Sequence, residues 1–122
     1  MMHDIEFGAV DVADISAMHL VAMDKPEAIG QRFIGSAGPL NMVAMAKHLA
    51  ARHPDRKIAT RTAPKLMLRL LSLFDPSIKT ILPNIGKRSR LNAAKAQSVL
   101  GITFTPPLEA LDRAADAVIA KG

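Results

Sequence analysis

The stretch Val10-Asp11-Val12-Ala13-Asp14-Ile15-Ser16-Ala17-Met18-His19 decides how this chain folds. It leaves an apolar, β-branched run, crosses two aspartates, and enters residues that suit a helix. Upstream, residues 5 to 12 (Ile-Glu-Phe-Gly-Ala-Val-Asp-Val) have the content of a short strand. Asp14 is placed to cap a helix from Ile15 to Met23, because a carboxylate there accepts from the unpaired amides of the first turn. That helix is apolar almost all round, which predicts a buried element. Asp11, at the strand-to-helix junction, reads as the acceptor of a turn hydrogen bond rather than as a site.

Working outward, Lys25-Pro26-Glu27 ends the helix, and Gly30 leads into a second strand at Arg32 to Ser36. Gly35, Gly38 and Pro39 mark a loop. Asn41 caps a helix whose apolar residues Met42, Met45, Ala46 and Leu49 follow helical spacing. His53-Pro54-Asp55 is a turn, and Lys57 to Thr60 is expected to form a third brief strand. A Leu-rich helix runs from about Pro64 to Phe74. Asp75-Pro76 combines a cap with proline at the first helical position, starting a short helix that stops near Pro83. Residues 86 to 90 form a loop or extended segment. Asn92 caps a helix that ends at Leu100, with Gly101 in the place of a C-terminal glycine. Thr105-Pro106 opens the last helix, with Leu108, Leu111, Ala115, Val118 and Ile119 on one face. The expectation is one mostly helical α/β domain over residues 1–122 with few short strands, and without repeats or linkers.

Composition narrows the function classes. Apolar residues make up 49% and charged residues 22% of the 122, values of a soluble globular chain rather than a disordered one. There are four Phe, no Trp and no Tyr, so the core is built from aliphatic side chains, alanine and seven Met. The absence of Cys excludes disulfides, thiolate nucleophiles and Cys-based zinc sites, and fits a reducing cytoplasm. No segment approaches the roughly 18 residues of a membrane span. The N-terminus has neither a basic leader nor an apolar signal core. A cytoplasmic protein with no membrane partner is expected. The net charge of +5 raises nucleic acid as a partner. The cations are interleaved with helix signals and lack aromatic neighbours for base stacking, so a solvated basic surface is preferred.

The chemistry-bearing motifs are mostly absent. Gly30, Gly35 and Gly38 lack the spacing of a phosphate-cradling turn. Ile85-Gly86-Lys87-Arg88 is like the end of a P-loop, but it has no upstream glycine and has Arg where Ser or Thr binds magnesium. His3, His19, His48 and His53 show no metal-ligand spacing, and His19 reads as a core or interface residue.

The order of these weak signals carries more. Val10 to Ile15 followed by Ala17-Met18-His19 resembles the strand and first helix of the substrate side of extended short-chain dehydrogenases/reductases, in the NAD-dependent epimerase/dehydratase superfamily. Pro26-Glu27-Ala28 with Gly30 to Ile34, the Asn41 to Leu49 helix, Pro54, and Lys57 to Thr60 follow in the family's sequence. Asn92-Ala93-Ala94-Lys95-Ala96 with Leu100-Gly101 resembles its late signature, and Phe104-x-Pro106 with Leu108 to Leu111 completes it. The likeness runs from about Phe7 to Ile119 and is greatest to the dihydroflavonol and cinnamoyl-CoA reductase-like branch. Ala13 stands where that family has a basic or acidic residue, and Ile102 where it has tryptophan, both at positions that shape a pocket or an interface.

This resemblance implies the C-terminal lobe of an NAD(P)-dependent carbonyl or aldehyde reductase without its Rossmann domain. The glycine-rich turn and the Tyr-x-x-x-Lys pair are missing, so no catalytic, cofactor-binding or metal residue is expected, and no cofactor for this chain alone. Gly8 and Asp11 are the candidate substrate-binding residues, by analogy with where two lobes meet. A homodimer, or pairing with a separate Rossmann domain, is the expected partnership. The alternatives are a stand-alone oligomerising or ligand-binding module and, more weakly, a basic nucleic-acid-binding protein.

Overall fold

Asp11, rather than Asp14, starts the first helix. Its backbone is extended (φ −70°, ψ 138°), and its side chain accepts from the Ala13 amide at 2.8 Å. Helix α1 (Val12–Asp24) therefore begins at Val12, with Asp14 already in its first turn. The computed structural model describes residues 2–122; Met1, part of the segment read for a leader, lies outside them. Strand β1 covers Glu6–Ala9, shorter than expected because Asp11 and Val12 are taken up by the helix start.

The second strand is displaced from its expected place. β2 is Gly38–Asn41, and Arg32 to Ser36 forms no strand. Phe33 packs on the core, and the buried Ser36 uses its Oγ to accept from the Gly38 amide. Pro39 is tolerated in β2 because a two-stranded sheet, β1 paired with β2, has only edge strands. Lys57 to Thr60 is likewise not a strand. The pairing nearby is an isolated parallel bridge of Met2 with Thr62, made by Met2 N to Arg61 O (2.8 Å) and Ala63 N to Met2 O (2.9 Å).

The chain divides into two compact units and passes from one to the other three times, within β1, within β2 and after Ser89. One unit runs up to Phe7 and resumes at Leu40–Ser89. It holds α2 (Met42–Arg52), α3 (Lys65–Leu71), α4 (Pro76–Ile81) and a 3-10 turn at Leu82–Asn84. Asn41 caps α2 by accepting from Val43 N and Ala44 N, and donates its own Nδ2 to Asp4 (2.8 Å). Asp75 accepts from Ser77 N at 2.9 Å to cap α4, with Pro76 beside it. α3 stops at Leu71 rather than Phe74, where Leu73 N and Phe74 N turn back onto Leu70 O and Leu71 O. Ala46, Ala63 and Leu68 are buried here.

The other unit comprises Gly8–Pro39 and Arg90–Gly122. It holds α1, a 3-10 turn at Pro26–Ala28, α5 (Ala94–Leu100) and α6 (Pro107–Ala120). Its core is Ala28, Leu100 and Ile102, with Met18, Val21, Phe33 and Phe104 packed against them. Ile102, at the position where the resembled family has tryptophan, is thus a core residue. Burying a side chain of this size contributes roughly 1.5–3 kcal/mol. Lys25 Nζ donates to Val99 O (2.9 Å), and Lys95 Nζ lies 5.2 Å from the centre of the Phe33 ring while bonding Gln31. Gly101 adopts φ 68°, the left-handed conformation that ends α5.

α1 is not the buried element its composition predicts. None of its residues is buried, and Val12, Leu20 and Met23 are 79%, 66% and 82% exposed. α5 and the Pro26–Ala28 turn cover one side through Met18, Val21 and Ala22. A helix apolar on every face needs neighbours on every face, and this unit does not supply them.

Candidate functional site

The candidate residues Gly8 and Asp11 lie at the end of β1 and the start of α1. Asp11 is 6% exposed. One carboxylate oxygen caps α1, and the other accepts from Arg113 Nη1 at 3.3 Å. Arg113 is held in turn by Glu109, one helical turn earlier on α6, at 2.7 Å. Both oxygens of Asp11 therefore have partners. Gly8 is where backbone passes close to side chains: a Cβ there would overlap Leu91 Cδ1 and lie 3.1 Å from Ser36 Oγ. Next to it, Ala37 N donates to Ala9 O at 2.7 Å.

Asp14 has a task its sequence position did not reveal. Its Oδ2 accepts from Thr105 N at 2.6 Å and its Oδ1 from Thr105 Oγ1 at 3.3 Å. The carboxylate thus holds the segment that leads into α6. Arg113 and Thr105 had no signal that could have found them, since neither is within one helical turn of its aspartate.

His19 Nδ1 bonds the Ile15 carbonyl along α1 at 2.7 Å. His3 Nδ1 and His53 Nε2 are buried without a protein hydrogen-bond partner. Among the described residues, no three His, Asp or Glu side chains group to hold a metal ion. Glu6 accepts from Arg88 Nη1 and from Ser89 N, both at 2.9 Å. The hydrogen bond and the charge of Glu6 push the Arg88 guanidinium above its ordinary value. With no tyrosine in the chain, the phenol that protonates a carbonyl oxygen in short-chain reductases has no counterpart here.

A separate cavity of about 420 Å³ opens in the α2–α4 unit, lined by Lys65, Arg69, Leu82, Pro83 and Ile85. Two cations one helical turn apart face three apolar side chains there. Sequence reading passed over it because its walls come from α3 and the turn after α4.

The fold these elements make, a mostly helical chain with a two-stranded sheet, is shared with part of a solved reductase structure. One solved structure that it resembles is yeast methylglyoxal/isovaleraldehyde reductase Gre2 complexed with NADPH. It matches with a TM-score of 0.70 and 24% identity over 98% of this chain. The chain spans about a third of that reductase's length, 35%. No family model matches the chain. No curated protein matches it either. Among the described residues, no helix is long and apolar enough to cross a membrane.

Proposed function

We propose that these residues form the C-terminal, substrate-side portion of a nicotinamide-dependent carbonyl reductase of the extended short-chain type. The branch favoured is the dihydroflavonol and cinnamoyl-CoA reductase-like one, working in a reducing cytoplasm. The supporting observation is the fold, shared over 98% of this chain with 35% of an NADPH-bound reductase. Carbonyl reduction needs a held hydride donor and an acid for the developing alkoxide. The 122 residues contain neither a glycine-rich turn nor a tyrosine, so they do no redox chemistry alone. A dinucleotide-binding domain, in the same polypeptide or another, supplies both. In that assembly the Gly8 to Asp11 segment borders the substrate, where two lobes meet. Gly8 offers bare backbone, and Asp11 holds α1 in place.

Calorimetry with NADH and NADPH tests this directly. No binding by the isolated chain is expected, and micromolar binding overturns the proposal. The intact mass of the native polypeptide in its source cells separates the two leading readings. A species more than twice the 13.1 kDa of this chain supports a reductase portion. A species of that mass supports the second reading, a stand-alone module that binds a ligand or a second copy of itself. The exposed apolar side chains of α1 favour that second reading.

A further inference from the structure

The charge of the chain is confined to one unit. The α2–α4 unit has ten Lys and Arg against four Asp and Glu, a net +6, whereas the other has six against seven, a net −1. Three of the four carboxylates in the basic unit are committed internally: Asp4 to Asn41, Glu6 to Arg88 and Ser89, and Asp75 to the cap of α4. Lys65 and Arg69 have no carboxylate partner among the described residues.

α3 and the turn that follows it present an uncovered apolar ridge. Leu66, Leu70, Leu73 and Phe74 are 74%, 59%, 77% and 88% exposed, while Leu68 alone on α3 is buried. Positions 66 and 70 share a stripe at helical spacing, continued by the turn residues 73 and 74, and 65 and 69 form a parallel row beside it. That row opens into the cavity walled by Leu82, Pro83 and Ile85. Lys65 Nζ lies over Gly86, where even a Cβ would come within 3.1 Å of it.

We propose that the basic unit docks on an anionic phospholipid surface, with the Leu66–Phe74 ridge entering the acyl boundary and the Lys65/Arg69 cavity receiving a headgroup phosphate. The occupant follows from charge and shape. A second copy meeting at this face would bring +6 against +6, so like charge opposes a symmetric dimer there. A nucleic acid would satisfy the cations but leave Leu66, Leu70 and Leu73 in water, with Phe74 the single ring of the ridge on which a base could stack. A bilayer of anionic lipid satisfies both, since apolar side chains partition at the interface and cations beside them meet the negative surface potential. Lack of a spanning helix does not bear on this, because lying on a membrane and crossing it are different physical claims. The inference is independent of the redox reading.

Vesicle co-sedimentation of the chain tests it, using phosphatidylcholine alone and phosphatidylcholine with about 30% phosphatidylglycerol. Binding is expected on the anionic vesicles, about tenfold weaker on the neutral ones, and falling as salt rises. Leu70→Ser with Phe74→Ser, and separately Lys65→Glu with Arg69→Glu, reduce it to the neutral level. Lys121→Glu, a charge reversal in the other unit, leaves it unchanged. Melting curves confirm that each variant is folded. No binding to anionic vesicles at low salt overturns the proposal, as does equal binding to neutral ones or equal loss with Lys121→Glu. A halved solution mass for the Leu70→Ser, Phe74→Ser variant also overturns it, by showing that a second copy covers the ridge.

Discussion

The Asp14 carboxylate accepts a 2.6 Å hydrogen bond from the backbone amide of Thr105, a residue 91 positions away. It joins the first turn of α1 to the segment that opens α6, in the unit whose core is small. Hydrogen bonds to a charged acceptor contribute more than neutral ones, about 1.5–3 kcal/mol. Asp14→Ala is therefore expected to lower unfolding free energy by about that amount, more than the roughly 1 kcal/mol of a lost cap. Thr105→Ala keeps the amide donor and loses only the 3.3 Å hydroxyl contact, so its cost is smaller. Urea denaturation of both variants decides it. A Thr105→Ala loss equal to that of Asp14→Ala contradicts the assignment.

Gly101 has open space where a Cβ would sit, but its φ of 68° belongs to the left-handed region. Gly101→Ala should cost about 1–2 kcal/mol from backbone strain alone, and Gly101→Asn less, because asparagine tolerates that conformation. At Gly8 the opposite holds. The obstruction is mainly the end of the half-exposed Leu91 side chain, which is free to swing away. Thermal melting is expected to rank Gly101→Ala as the more damaging of the two.

Val12, Leu20 and Met23 leave much of α1 bare, and uncovered apolar surface costs about 25 cal/mol per Å². The chain is expected to self-associate through this helix as a symmetric dimer at micromolar concentration. Light scattering coupled to gel filtration should give twice the mass of the chain, falling to monomer for Leu20→Ser with Met23→Ser. A monomeric parent chain refutes the expectation.

The Glu6–Arg88 pair gives a pH prediction with a defined sign. Its folded-state guanidinium is raised above the ordinary value, so its contribution is complete below that value and is lost only as pH climbs past it. The guanidinium of Arg88 therefore adds no titration to stability between about pH 6 and 9. Replacing Glu6 by Gln should leave the shape of the melting-temperature profile in that window unchanged. A new slope there would show that the carboxylate is coupled to another titrating group.

Local chemistry was legible along the chain, and distant chemistry was not. Asn41 capping α2, Asp75-Pro76 opening α4 and Gly101 closing α5 are all satisfied by atoms within one helical turn, so the order of residues determines them. The choice between Asp11 and Asp14 as cap is different. Both are acidic, both precede helix-forming residues, and Thr105 and Arg113, far along the chain, separate their roles. The same holds for β2, which formed at Gly38–Asn41 because a strand exists only where a partner strand lies beside it. Apolar content on all sides of α1 marked it as needing cover, but which faces are covered depends on how much neighbouring structure the unit has. The Lys65 and Arg69 cavity needed Leu82, Pro83 and Ile85 to be brought against α3. Residue order determined the caps of α2 and α4 and the close of α5. Only tertiary packing decided which charges are used up and which surfaces are left bare.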